Sequence, residues 1–579
     1  MRDLALAAAA LATLSCSEGG RGEKTPGGTS PAGSAPLLVE VTATAGLAFL
    51  HARGGAGNRE LPETMGAGVA LLDHDGDGDL DVYLVQSGPV RARDAGTEDA
   101  ATRDNRRNAL FANDGSARFA AVEGAAGADD PGYGQGCAVG DVDGDGADDL
   151  LVLNWGPNAL YASRGGRFED ASRAVGILDE DRWSVSAAFL DADGDGDLDL
   201  YVVNYVESPP GSHLDEEIAA ERGRLPGSPF PSYPHPNLFR AAGDRFYRNT
   251  GNGTLEEATA DAGLDVPRGK GLGVRALDAD LDGLPELYVA NDSTPNFLFR
   301  NAGGRFEETG LASGTAVNGR GRTEAGMGVD AADVDGDGDL DLFVTNLDAE
   351  TNTLYLNDAG AGRWRDRTAA AGLAEPSRPL VGFACLFLDA DRDGDQDLVV
   401  ANGHILDNVE QISSARRHAQ PDHLFLNEGA GRFAPCAPGG APGLERPTVA
   451  RGGALGDLDG DGAPDLVLTG NDEPPRVFLG RPPAADWLTL RLEGPAGNPH
   501  GLGATVFLEL ADGRTLVRDV ASARAYASAS EPLVSTGLPA PVAAVEVLWP
   551  GGARERWTDL GADFRGEQRL RAGLSAEGR

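Results

Sequence analysis

The chain has 579 residues, among them 82 Gly, 35 Pro and 4 Cys, and 91 acidic against 49 basic side chains give a formal net charge of −42. That length predicts several domains or one large repeat array. The cysteine count excludes a disulfide-stapled mini-protein, 41% hydrophobic residues argue against disorder, and the negative surplus repels nucleic acid, so no such partner is expected.

The N-terminus reads as an address. Met1 and Arg2 precede an apolar run, Leu4 to Leu14, too short to span a bilayer and shaped like a secretory signal peptide. Thr13-Leu14-Ser15-Cys16 resembles a bacterial lipoprotein processing site, with Thr13 where Leu is usual. Residues 1–16 are then the signal and Cys16 the lipidated residue; ordinary cleavage after Ala12 is the alternative. Residues 17–36, rich in Gly, Ser and Pro, form a flexible tether. The expected protein is exported: an outer-membrane or cell-surface lipoprotein, or a secreted protein, touching a membrane only through its N-terminal anchor.

The acidic residues then recur in one pattern, D-x-D-x-D-G-x-x-[DE]. Its copies are Asp73-Asp75-Asp77-Asp81, Asp141-Asp143-Asp145-Asp149, Asp191-Asp193-Asp195-Asp199 and Asp278-Asp280-Asp282-Glu286. Three more follow, at Asp333-Asp335-Asp337-Asp341, Asp389-Asp391-Asp393-Asp397 and Asp457-Asp459-Asp461-Asp465. Their first aspartates lie 50 to 87 residues apart, and glycine always holds the sixth place. Alternating carboxylates on a tight loop converge on one point, as the six to eight oxygen ligands of Ca²⁺ require. Asp-Gly hairpin turns that bind nothing would explain the glycines but not the carboxylates. Up to seven structural Ca²⁺ ions are expected, which would move the net charge to about −28.

An EF-hand needs glutamate at loop position 12. Here that place holds Leu84, Val152, Val202, Val289, Val344, Val400 and Leu468, inside β-like runs. The loop therefore joins two strands, as between Gly68-Val69-Ala70-Leu71-Leu72 and the run after Asp81. A third strand, such as Leu354-Tyr355-Leu356-Asn357, and a fourth after a Gly-rich turn, such as Gly431-Arg432-Phe433, complete each unit. Four short strands per unit predict propeller blades. The fold class is all-β: a seven-bladed β-propeller over 37–480, followed by a small sandwich-like β domain over 481–579.

These repeats resemble the FG-GAP/VCBS repeats of the cartilage acidic protein family, whose members end in an ASPIC/UnbV domain. The likeness extends to Leu61-Pro62-Glu63-Thr64-Met65-Gly66, Val289-Ala290-Asn291-Asp292-Ser293 and Ala401-Asn402-Gly403-His404-Ile405. Near the C-terminus, Asn498-Pro499-His500-Gly501-Leu502-Gly503-Ala504 resembles that domain's N-R-x-x-I-G-A stretch, with His500 in place of the usual Arg. The resemblance implies fold, calcium and secretion; the family's activity is poorly defined.

All seven acidic loops should lie on one face. The insertions at about 87–107, 205–236 and 403–421 fall on the opposite one, as binding segments of repeat proteins often do, though drift in surface loops would produce the same pattern. On that face stand Asn154, Asn204, Asn291, Asn346 and Asn402, each five residues after a loop's last acid. They either meet a polar ligand or cap strand ends. Tyr133, Trp183 and His404 are further ligand candidates. No nucleophile–base pair and no zinc spacing is recognisable, so an enzyme is the less favoured class.

The expected function is a calcium-stabilised extracytoplasmic propeller that binds a glycan or protein partner on the face opposite the loops. One alternative is a polysaccharide lyase or hydrolase using Glu63, Lys270 and Glu324 at the channel mouth. Another is a structural envelope or matrix component.

Overall fold

Aliphatic runs on either side of each acidic loop pair as antiparallel hairpins in one fixed register. The residue before the first aspartate always faces the ninth-position acid, from Leu72 opposite Asp81 to Gly456 opposite Asp465. The computed structural model describes residues 35–574, except 56–58, 89–106, 178–181, 209–231, 252, 267, 359–361, 483–485 and 562–563. The N-terminal signal, the tether and Cys16 lie outside the described residues, apart from the tether's last two positions.

Two more strands complete each hairpin, giving seven four-stranded units, in six of which the strands follow one another along the chain. The innermost strands are Val69–Leu72, Gly134–Gly140, Ser184–Leu190, Gly271–Leu277, Val329–Ala332, Gly382–Leu388 and Ala450–Gly456. Each packs on the next, and the last packs on the first, so the seven close a ring. Leu38–Glu40 pairs with Arg476–Gly480 as the outer strand of the seventh sheet, joining the beginning of the ring to its end. This is the architecture of a β-propeller, and the sheets are hereafter its blades.

Inner strands approach so closely that side chains are excluded at particular places. A Cβ at Gly136 would fall 2.2 Å from the Val185 carbonyl oxygen, and one at Gly328 2.1 Å from that of Phe383. The small-residue bias of these strands follows from that ring geometry, while Val, Leu, Phe and Tyr fill the layers between blades.

After Gly480 two further sheets form. In one, Trp487–Glu493 lies between Val534–Gly537 and Gly566–Arg571; in the other, Thr515–Asp519, Thr505–Leu510, Val542–Leu548 and Arg554–Trp557 run side by side. Leu488, Leu490, Val506, Leu508, Val545, Val547 and Trp549 form their shared core. This part sits on the acidic-loop face. Thr536 Oγ1 and Gly537 N donate to Asp389 Oδ2 at 3.1 and 2.7 Å, His500 Nε2 lies 2.9 Å from Asp148 Oδ1, and Gly551 N donates to the Gly283 carbonyl at 2.8 Å.

From this part a hairpin, Ala523–Arg524 and Ser528–Ala529, enters the channel and joins the first blade, Ala529 pairing in parallel with Ala70. It bonds to several blades at once. Cys137 N donates to the Ala527 carbonyl at 3.2 Å, Ala527 N to Ser186 Oγ at 3.1 Å and Val329 N to the Ala525 carbonyl at 3.0 Å. Gly453 N donates to Ser528 Oγ at 3.2 Å, and the Tyr526 ring meets Phe383 edge-on at 5.1 Å. The channel is thus filled from the loop side, and among the described residues its other mouth stays open; most of the insertions at 87–107 and 205–236 lie outside the described residues.

Candidate metal loops and ligand cavity

Within each loop the sixth-position glycine, from Gly78 to Gly462, has φ between +83° and +104°, the left-handed region in which a Cβ is strained. That turn aims backbone N–H groups at the first aspartate. In six loops its Oδ2 accepts from the glycine N–H, at 2.8 to 3.0 Å. The first, third and fifth carboxylates thereby converge: the Asp73-Asp75-Asp77, Asp191-Asp193-Asp195 and Asp278-Asp280-Asp282 sets each bring three donor oxygens within 4.8 Å of one another.

The ninth-position acid has a second task. Asp341 Oδ2 accepts from Val334 N at 3.0 Å and Oδ1 from Asn357 N at 2.9 Å, and the same two bonds recur in all seven blades. They stitch the loop to the third strand. In five blades an asparagine there goes further: Asn427 Nδ2 donates to the Gln396 carbonyl of its own loop and to the Val334 carbonyl of the preceding one. Asn113, Asn249, Asn301 and Asn357 do the same, whereas Ser163 and Gly480 occupy the place in the second and seventh blades. Sequence reading missed this brace, although its asparagines close the third-strand runs.

Packed carboxylates resist ionisation. Burial, aided by neighbouring aspartates, pushes Asp149 up to about 7, Asp199 and Glu286 to about 8 and Asp341 to about 9. Asp143 Oδ1, Asp391 Oδ1 and Asp457 Oδ1 are buried without any hydrogen-bond donor. Convergent, hard carboxyl oxygens without other partners fit a hard divalent cation.

The opposite mouth holds a cavity of about 530 Å³. Leu61, Met65, Leu272, Met327, Leu406 and the Tyr205 and Tyr233 rings line it, with Asp292, Asp348, His404 and Arg416 among them. An aromatic row leads to it: Tyr133, Trp155, Trp183 and Tyr205 follow one another with ring centroids 5.6, 6.3 and 5.0 Å apart. Tyr205 donates its hydroxyl to Asp292, and Arg416 Nε lies 2.6 Å from Asp348 Oδ2. His404 is 2% exposed. Its Nδ1 accepts from Leu406 N at 2.9 Å, and burial beside Arg416 and His418 lowers its pKa to about 3. The ring is therefore neutral, with its proton on Nε2.

Of the candidate ligand residues, His404 lines this cavity. Trp183 is fully buried and donates to Gln135 Oε1 at 3.1 Å, while the Tyr133 hydroxyl donates to the Arg53 carbonyl at 2.7 Å. The asparagine ring faces inward. Asn154, Asn204, Asn291, Asn346 and Asn402 donate from Nδ2 to the carbonyls of Pro157, Gly243, Pro295, Thr351 and Pro421, each just ahead of a third strand.

Glu63, Lys270 and Glu324 do not meet in the cavity either. Glu63 closes a capping box with Glu60, Lys270 Nζ donates to the Pro236 carbonyl and Asn237 Oδ1 at 3.0 and 2.7 Å, and Glu324 accepts from Asn318 and Thr353 at 2.8 and 2.7 Å. Asp292, Asp348, Tyr205 and Tyr233 were not singled out by sequence. Asp292 adjoins Asn291 in a recognisable stretch, but no local pattern directs it inward.

A family model for the FG-GAP-like repeat matches residues 141–202, 278–344 and 333–400, each span beginning on the first aspartate of a loop. A model for ASPIC and UnbV matches 494–568. The chain carries FG-GAP-like repeats and an ASPIC/UnbV segment. It is also distantly related to cartilage acidic protein 1, with 28% identity to the Xenopus tropicalis protein over 311 residues and 27% to the mouse and human proteins. The Xenopus match covers 52% of this chain and 44% of that protein, so the chain spans less than half the length of such relatives.

Among solved structures, one on the recognition of non-reducing terminal N-acetylglucosamine by an Agrocybe aegerita lectin has a TM-score of 0.35 and 16% identity, covering 64% of this chain and 79% of that one. A complex of BBS1N with ARL6DN has a TM-score of 0.40 and 11% identity, covering 78% and 99%. Likenesses at that level carry no functional weight. The FG-GAP-like repeats and ASPIC/UnbV segment suggest a binding or matrix-type protein that works outside the cell.

Proposed function

We propose that this is a calcium-stabilised binding protein of the extracytoplasmic space, which recognises a glycan or protein partner on the face opposite the acidic loops. The observation that carries the reading is the division of the two faces. The C-terminal sheets cover the loop side and fill the channel, while the far mouth keeps an open cavity with an apolar lining and a few convergent polar groups, the usual build of a ligand site. Calcium at the loops would hold blades in register and take no part in recognition. Export, with attachment through Cys16, belongs to the same reading.

The test compares two surface variants of the calcium-loaded full chain on a panel of immobilised glycans and purified matrix proteins. Ile405→Arg obstructs the cavity; Arg565→Glu alters the C-terminal sheets on the loop side. Binding lost in Ile405→Arg alone supports the reading. Binding lost only in Arg565→Glu, or retained in both, contradicts it.

A further inference from the structure

Among the buried polar atoms without a hydrogen-bond partner are His404 Nε2, at the cavity, and the Tyr526 hydroxyl, at the tip of the channel hairpin. His404 lines the cavity. Its Nε2–H has no acceptor, because Asp348 Oδ1 stands 3.7 Å away, beyond hydrogen-bond reach. Tyr526, 1% exposed, is the tip of the channel hairpin and belongs to the apolar cluster that includes Met65, Tyr205, Leu272 and Met327 of the cavity wall. The hairpin tip therefore packs in the same cluster as the cavity wall, next to the lining residues. Leaving such groups unpaired is costly, and a ligand that supplies partners recovers that cost.

The charges beside the cavity narrow the ligand class. Arg416 is held by Asp348, Lys270 by Asn237 and the Pro236 carbonyl, Arg53 and Arg59 against Tyr233 by Asp407, and Arg451 beside His404 by the Thr64, Gly403 and Ala450 carbonyls, so each is already engaged and none is available to an anion. Asp292 accepts from Tyr205 and, at 2.8 Å, from Ser293 Oγ, and its remaining lone pairs call for further donors. A fitting ligand must accept from His404, donate to Asp292 and lay an apolar face on the Tyr233 ring and the methionines. A neutral pyranose does all three, since its hydroxyls both donate and accept while its ring C–H bonds form a face for aromatic packing.

Resting on the ligand-face reading above, we infer that the cavity takes a sugar unit of a neutral carbohydrate, with His404 Nε2–H and the Tyr526 hydroxyl as recognition groups. The ASPIC/UnbV part thereby contributes a contact to a site on the far side of the propeller.

The experiment is a glycan array bearing neutral, uronate, sialylated and sulfated termini, probed with the calcium-loaded full chain and with His404→Leu, His404→Gln and Tyr526→Phe, the melting temperature of each being recorded alongside. Expected is binding to neutral termini, weakened about tenfold by His404→Leu and by Tyr526→Phe and partly kept by His404→Gln, whose amide can still donate. Tyr526→Phe removes one oxygen and keeps the packing, so it serves even if a His404 variant is unstable. Neutral-glycan binding that both Tyr526→Phe and a folded His404→Leu retain overturns the assignment and leaves the ligand face standing. Binding confined to anionic termini, or absent on every glycan, overturns the carbohydrate class; the Ile405→Arg comparison with protein partners then decides the ligand face separately.

Discussion

Arg524, beside the tip of the channel hairpin, grips Asp330 of the fifth blade, Nη2 to Oδ2 at 2.7 Å and Nε to Oδ1 at 3.1 Å. Asp330 is fully buried; it also takes Arg275 Nε at 3.3 Å and Phe387 N at 2.8 Å, while Arg275 reaches Asp519. One carboxylate thus ties the fourth, fifth and sixth blades to the C-terminal sheets. Replacing Arg524 by Met removes one counter-charge from a buried anion, and urea unfolding should show a loss of about 3 kcal/mol. A loss under about 0.5 kcal/mol would mean that the hairpin is not anchored there.

The asparagine brace makes a second prediction. Asn427→Ala leaves the carbonyls of Val334 and Gln396 without its amide, and should destabilise the chain by about 1–3 kcal/mol. Ser163, at the equivalent place in the second blade, makes no such bridge, so Ser163→Ala should change stability by well under 1 kcal/mol in the same urea assay. Equal losses in the two variants would sink the bridging role.

Much of this was legible in the sequence, because a metal-type loop is a covalent pattern: nine residues carry their own turn, donors and strand boundaries. The blades and the strand after each loop follow from it, while the β character of the C-terminal part rests on its own strand pattern and on the ASPIC/UnbV resemblance. The hairpin was not legible. Ala525, Ala527 and Ala529 meet blades hundreds of residues away through backbone groups, and small residues in a short turn leave no periodic signal. The cavity was missed for a similar reason: Tyr205, Asp292, Asp348 and His404 come from four blades, and only closure of the ring brings them together.

Buried histidine gives a pH prediction. His51 is 2% exposed, and burial, with Arg451 nearby, lowers its pKa to about 3 against 6.5 when unfolded. The unfolded chain binds the extra proton, so stability is full above about pH 6.5 and falls as the pH drops toward 3. At saturating calcium, His51→Gln should narrow the loss between pH 7 and pH 5 by about 2 kcal/mol relative to the parent. Identical pH profiles would show that His51 is not held neutral.

Cation binding at the loops should release protons. Asp199, Glu286 and Asp341, raised to about 8 to 9, are largely protonated at pH 7 and must ionise to ligate a metal. Calorimetric calcium titrations in buffers of different ionisation enthalpy should show net release at pH 7 that shrinks by pH 9.5. Zero release at pH 7 would show that these carboxyls are already ionised in the metal-free protein.

The most direct measurement is the melting temperature of the full chain with calcium, after EDTA, and after calcium is restored. Ions at the seven loops should hold it on the order of 10 °C above the stripped protein, reversibly and with little replacement by magnesium. A melt unmoved by EDTA at neutral pH would contradict the account, leaving the acidic loops as turns that hold no metal.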